Sequence, residues 1–174
     1  MALAAPQPRV LADVVPRTWV RQLALIGGAA AFVGLSAQIA IPLPFTPVPL
    51  TLQTFAVLLS AAALGSLRGA LAMLVYALVG MAGVPWFAQG SSGFAGPSFG
   101  YIVGFIIAAL VVGRIAERGA TRTAVRTAGL MIVGNLVIYA VGVTWLKFAI
   151  GVDWATAIAL GATPFLIGDA IKIA

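Results

Sequence analysis

Long apolar runs, broken by glycine, proline and arginine, set the pattern of this chain; alternating polar and apolar positions are rare. A hydrocarbon layer about 30 Å thick, crossed at 1.5 Å per residue, calls for about 20 apolar residues per helix. On that basis the pattern predicts six spans. The first covers residues 19–41 and is closed by Pro42. The second and third, residues 49–65 and 69–84, are short, and Arg68 marks the turn between them. The fourth covers 97–116. The fifth, 127–150, is long enough to cross with some tilt. The sixth opens at 161–164 and runs to Ala174. Residues 151–160 contain Asp153, which disfavours a continuous span, and read as an interfacial turn. The expected fold is therefore an all-α membrane protein, a six-helix bundle forming one domain over residues 1–174. Residues 1–18 form its N-terminal segment. Pro6, Pro8, Asp13 and Pro16 interrupt that segment, so it does not read as a signal peptide.

Composition sharpens this picture. Of 174 residues, 62% are apolar and 8% charged, against about a quarter charged in a soluble domain. A water-facing surface cannot be built from so few charges, which excludes a soluble enzyme, a nucleic-acid binder and a disordered linker. The net charge of +6 is accordingly read as a topology signal. Arg9, Arg17, Arg21, Arg68, Arg114, Arg118, Arg122 and Arg126 all fall on one side of a six-span arrangement, with Lys147 toward the other side and Lys172 inside the last span. The positive-inside rule then places both termini in the cytoplasm, in a multi-pass plasma-membrane protein. The cluster from Arg114 to Arg126 suits anionic lipid. With neither cysteine nor histidine, thiolate and imidazole metal sites are excluded, and so is the commonest general base. No cofactor is called for. Nothing matches G-x-x-x-x-G-K-[ST], so ATP hydrolysis by a P-loop would need another subunit.

Two outward segments differ from ordinary connections. Residues 41–50 carry Pro42, Pro44, Pro47 and Pro49. Proline fixes φ and extends the residue before it, so this apolar stretch reads as a stiff strap that packs over something. Residues 83–101 combine five glycines with Trp86, Phe87, Phe94, Phe99 and Tyr101. Glycine permits close backbone approach and aromatic rings supply flat walls, which favours a loop lining a pocket; Gly90, Gly93, Phe94 and Tyr101 are the candidates. Trp19, Trp145 and Trp154 read as an interfacial belt. Among neutral polar residues, Gln38 and Gln53 flank the strap, Gln89 lies in the glycine-aromatic loop, and Asn135 is expected to bond a neighbouring helix.

Asp169 and Lys172, three apart on one helix, point their head groups into the same volume. Charge inside a membrane is costly, and its retention usually marks function. The pair offers an acceptor beside a donor, suited to a ligand with N–H and C=O groups or an anionic end. Without a Ser, Cys or His partner it makes a poor nucleophile and base.

Several motifs resemble one known family. They are Pro44-Phe-Thr-Pro-Val-Pro-Leu-Thr-Leu-Gln53, Gly65-Ser-Leu-Arg-Gly-Ala70, Gly83-Val-Pro-Trp-Phe-Ala88 with the following Gly-Ser-Ser-Gly, Gly96-Pro-Ser-Phe-Gly-Tyr101, and Pro164-Phe-Leu-Ile-Gly-Asp-Ala-Ile-Lys172. Together they resemble the BioY family, the biotin-binding S-components of energy-coupling factor transporters, over residues 20–174. The resemblance implies a six-helix bundle that binds biotin near its outer face, with Asp169 and Lys172 as biotin contacts. Gln89 stands where the family favours asparagine, and Phe99 replaces a smaller residue. The family's last helix continues past its lysine; here two residues follow Lys172, so the final span reads as truncated. The resemblance also implies docking on a transmembrane coupling subunit, accompanied by two ATPase subunits. The first span supplies a face for it, with small residues four apart at Ala24 and Gly28, and at Gly27 and Ala31. The same residues would equally suit packing inside the bundle. A stand-alone transporter in which Asp169 carries a proton is the competing reading. An intramembrane enzyme lacks a catalytic constellation.

Overall fold

The computed structural model describes residues 10–14 and 18–173, so Arg9 and Arg17 lie outside the described residues. In chain order the elements are α1 (Trp19–Gln38), β1 (Ala40–Ile41), β2 (Leu50–Thr51), α2 (Gln53–Leu64), α3 (Ser66–Met81), α4 (Phe99–Ala116), α5 (Ala124–Ile150), α6 (Trp154–Gly161) and α7 (Leu166–Ile173). Four helical stretches among the described residues are long and apolar enough to cross a membrane: Trp19–Gln38, Phe99–Ala116, Ala124–Ile150 and Trp154–Lys172. α2 and α3, at 12 and 16 residues, reach only about 18 and 24 Å at 1.5 Å per residue.

Local chemistry sets the boundaries. Gly65, at φ +85°, makes the whole turn between α2 and α3. Arg68 therefore sits in the first turn of α3 and not in the turn, as the sequence pattern suggests. Glu117, just after α4, accepts hydrogen bonds from the Ser66 backbone N–H and hydroxyl, both at 2.8 Å, and so caps α3. α5 opens at Thr123, whose hydroxyl accepts from the Arg126 N–H, and closes at Gly151 in the left-handed conformation.

The interfacial turn expected at 151–160 is instead largely helical. Asp153 does not interrupt a span; it is the N-cap of α6, accepting the Thr156 N–H at 2.9 Å and the Thr156 hydroxyl at 3.0 Å. Helical structure thus begins at Trp154, before the expected 161–164. A short 3-10 turn at Thr163–Phe165, where Pro164 cannot supply an N–H, separates α6 from α7.

α4 and α5 pack along their length, and α2 and α3 close over α4. Contact is close because small residues face large ones. A Cβ at Gly104 would lie 3.0 Å from the Ile138 carbonyl oxygen, so α4 meets the α5 backbone directly there. Tyr76, Met73, Ile138, Leu146 and Val112 fill the interior. Outward, the bundle is apolar: Leu35, Leu136 and Phe148 are all more than 60% exposed, which suits lipid as the surrounding solvent.

The two ends of the bundle differ. At one, Arg68 donates to Gln22 and pairs with Asp13 at 3.0 Å, beside the Glu117 cap. At the other, β1 and β2 pair antiparallel, so the proline strap is a hairpin with zipped ends and not a continuous extended strand. Its tip is fastened by the Thr46 hydroxyl donating to the Leu160 carbonyl at 2.8 Å.

Candidate functional site

Beneath the strap end lies a cavity of about 320 Å³, at the small end of the usual range for small-molecule sites. α7 supplies its base. The i, i+3 spacing does bring Asp169 and Lys172 together, at 2.9 Å between Oδ1 and Nζ, and Asp169 is 4% exposed. A buried ion pair is costly unless its remaining hydrogen-bonding capacity is met. Here it is met by side chains from α2 and α5 and by a backbone carbonyl of β2. Asp169 Oδ1 also accepts from the Thr54 hydroxyl at 3.2 Å, and Oδ2 accepts from the Tyr139 hydroxyl. Lys172 donates to the Thr51 carbonyl at 2.8 Å, to Thr54 Oγ1 at 2.9 Å and to Asp169. An ammonium group has three N–H donors, so all of them are engaged within the protein. Thr54 relays between the partners, accepting from one and donating to the other.

The walls are aromatic: Phe87, Tyr101, Phe105 and Phe165 line the cavity and are buried. Tyr101 does more than line it. Its hydroxyl donates to the Gly161 carbonyl at 2.7 Å, and its ring lies against Gly142, where a side chain would collide with it. It thereby ties α4 to α5 and α6. Gln53 lines the cavity and donates to the Tyr76 hydroxyl at 2.7 Å. Pro47 and Pro49 of the strap line it too, and Val48 is buried, so the strap packs over the cavity as its apolar character suggests.

The glycine-aromatic loop forms the mouth. Gln89 and Gly93 line the cavity, with Gln89 at φ 60° and ψ 31°, the one non-glycine positive φ among the described residues. Gly90 and Phe94 are not among the residues lining the cavity, and Phe94 is 65% exposed. The loop is held at several points. Gln38 donates to the Trp86 and Phe87 carbonyls at 3.1 and 3.4 Å, and the Gly93 N–H donates to the Gly80 carbonyl at 2.9 Å. Trp145 fastens the far end by donating to the Gly96 carbonyl at 3.1 Å. Asn135 is expected to bond a neighbouring helix, yet its buried Oδ1 has no hydrogen-bond partner among the described residues.

Sequence reasoning missed Thr51, Thr54 and Tyr139, and also Phe105 and Phe165. Thr54 and Tyr139 are hydroxyl-bearing positions on helices that carry other polar residues too, and they lack the charge that singled out Asp169. The expected docking residues Ala24, Gly27, Gly28 and Ala31 are all exposed on α1, and among the described residues nothing beyond the local α1 backbone and the adjoining residues lies within 4 Å of a Cβ built at Gly27 or Gly28. Packing among the described residues therefore does not cover them.

Known proteins resemble the chain in sequence and in fold. The model of the BioY family matches residues 7–174. The chain is 39% identical over 158 residues to the biotin transporter BioY2 of Lactococcus lactis subsp. cremoris (strain MG1363), covering 89% of this chain and 85% of that protein. It is 41% identical over 157 residues to the biotin transporter BioY of Thermotoga maritima, covering 88% and 90%. The fold is similar to that of the S-component for biotin from an ECF-type ABC transporter, seen in a crystal structure, with a TM-score of 0.81 and 23% identity over 91% of this chain and 89% of that one.

Proposed function

The chain belongs to the BioY family, and on that premise we propose that it captures biotin in the cavity above Asp169 and delivers it across the plasma membrane as the S-component of an energy-coupling factor transporter. The observation that carries this is the cavity itself: aromatic walls over a base where Asp169 meets Lys172, Thr54 and Tyr139. Biotin has a flat ureido ring with N–H donors, an apolar thiophane and a carboxylate tail. The ureido head enters first, an N–H donating to the Asp169 carboxylate, and the thiophane rests on Phe105, Phe165 and Tyr101. Gln89 and Gly93 flank the tail at the mouth.

The strap end faces outward and the arginine end faces the cytoplasm, as the distribution of basic residues favours. α1 to α5 and the α6–α7 pair make six crossings, with the short α2 and α3 compensated by local bilayer thinning. The exposed small residues Ala24, Gly27, Gly28 and Ala31 seat a transmembrane coupling subunit, which two ATPase subunits drive; this chain carries no P-loop of its own.

Labelled-biotin uptake tests the reading in cells lacking their own biotin transporter. Uptake is expected when the chain is produced with coupling and ATPase subunits, and it should collapse when the ATPase site is disabled. Uptake by the chain alone, driven by a pH gradient in vesicles, would favour the proton-coupled reading. Absence of uptake under every condition would contradict biotin transport.

A further inference from the structure

The cavity is electrically lopsided. Its charged lining residues are Asp169 and Lys172, paired at the buried base. Its mouth is lined by Gln89, Ser91, Ser92 and Ser98, all neutral, and the first three are exposed. The base is a poor seat for a ligand carboxylate. Each Lys172 N–H already has an acceptor in Thr51, Thr54 or Asp169, so an incoming anion would have to displace one of them. It would also lie against the Asp169 carboxylate, and like charges brought together away from water repel strongly. The tail of a head-first ligand therefore ends at the mouth, partly in water, among groups that hydrogen-bond an acid or an amide with equal ease. There is room for it to continue outward, because nothing lies within 4 Å of a Cβ built at Gly90, Gly93 or Gly96.

We propose that the cavity takes, besides biotin, biotin derivatives whose carboxyl group is capped as a neutral amide, including the amide formed with the ε-amino group of lysine. The inference rests on the biotin reading above and adds that the tail charge is not read. Transport of such amides would place the chain downstream of the hydrolysis of biotinylated proteins, a reaction class that releases biotin still joined to lysine.

Calorimetric titration of the purified protein in detergent with biotin, biotin primary amide and the lysine ε-amide separates the two claims. Both amides are expected to bind within tenfold of biotin. Biotin binding with a loss of more than tenfold for the primary amide overturns the inference and leaves the biotin reading standing; failure of all three ligands overturns both. A second comparison uses Lys172→Met. If Lys172 does not read the tail, the substitution weakens acid and amide by the same factor. A loss for the acid exceeding that for the amide tenfold would place the carboxylate at Lys172 and overturn the inference.

Discussion

Asp169 is held by three donors from three parts of the chain: Lys172 on its own helix, Thr54 on α2 and Tyr139 on α5. Such a carboxylate is fixed in direction before any ligand arrives, and its orientation depends on residues that need not touch the ligand. Tyr139→Phe removes one donor while keeping the ring. A hydrogen bond of this kind contributes about 1 kcal/mol, so biotin affinity should fall roughly fivefold. Titration of the variant checks this, and an unchanged affinity would mean that Tyr139 does not orient the carboxylate. Asp169 and Lys172 were legible in the sequence because opposite charges at helical spacing stand out inside an apolar run, where each alone would be costly to bury. Thr54 and Tyr139 were not, since they lie 115 and 30 positions from Asp169 and only the folded bundle brings them to it. The base of the site was thus half legible: the charges showed, while the hydroxyls that complete them looked like ordinary helix residues.

Among the elements, α6 shows how a local signal can be misjudged. Asp153 resembles a span breaker by its charge, yet the same carboxylate is what starts the helix. The Thr156 backbone N–H and then its hydroxyl hold the Asp153 carboxyl below its ordinary value. A folded value below the unfolded one stabilises the cap above the unfolded pKa, and the contribution is lost as pH falls through the lowered folded value. At neutral pH, Asp153→Ala should therefore speed amide exchange in the first turn of α6, while Asp153→Asn, which caps as well, changes it little. Equal exchange in the alanine variant and the parent would show that packing alone holds α6. The helices of the bundle itself were readable from apolar length; their ends were decided by caps such as Glu117 on Ser66, which join residues far apart in sequence. Of the two mouth segments, the strap is zipped by β1 and β2 and tied to Leu160, whereas the glycine-aromatic loop has exposed residues between its fastened ends. Biotin should accordingly raise exchange protection at Ser91, Ser92 and Phe94 and leave the strap nearly unchanged. Equal protection of both segments would mean that the whole strap end closes as a unit.

At the scale of the molecule, the proposed function joins an interior cavity for one small solute to an exterior that meets lipid and, through α1, a partner. The small residues of α1 offer a way to separate these proposed roles. Because, among the described residues, no atom beyond the local α1 backbone and the adjoining residues lies within 4 Å of a Cβ built at Gly28, Gly28→Leu should leave the bundle and its biotin affinity intact while abolishing co-purification of the coupling subunit. Loss of biotin binding together with the partner would indicate that the α1 face supports the bundle internally. The expectations for biotin affinity and for protection of the loop depend on biotin occupying the cavity above Asp169, and titration calorimetry on the purified chain and its Asp169→Asn variant addresses that most directly. Saturable one-to-one binding by the parent is predicted, weakened at least about tenfold, or about 1.4 kcal/mol, in the variant; equal affinity in the two proteins, or no binding by the parent, would contradict it.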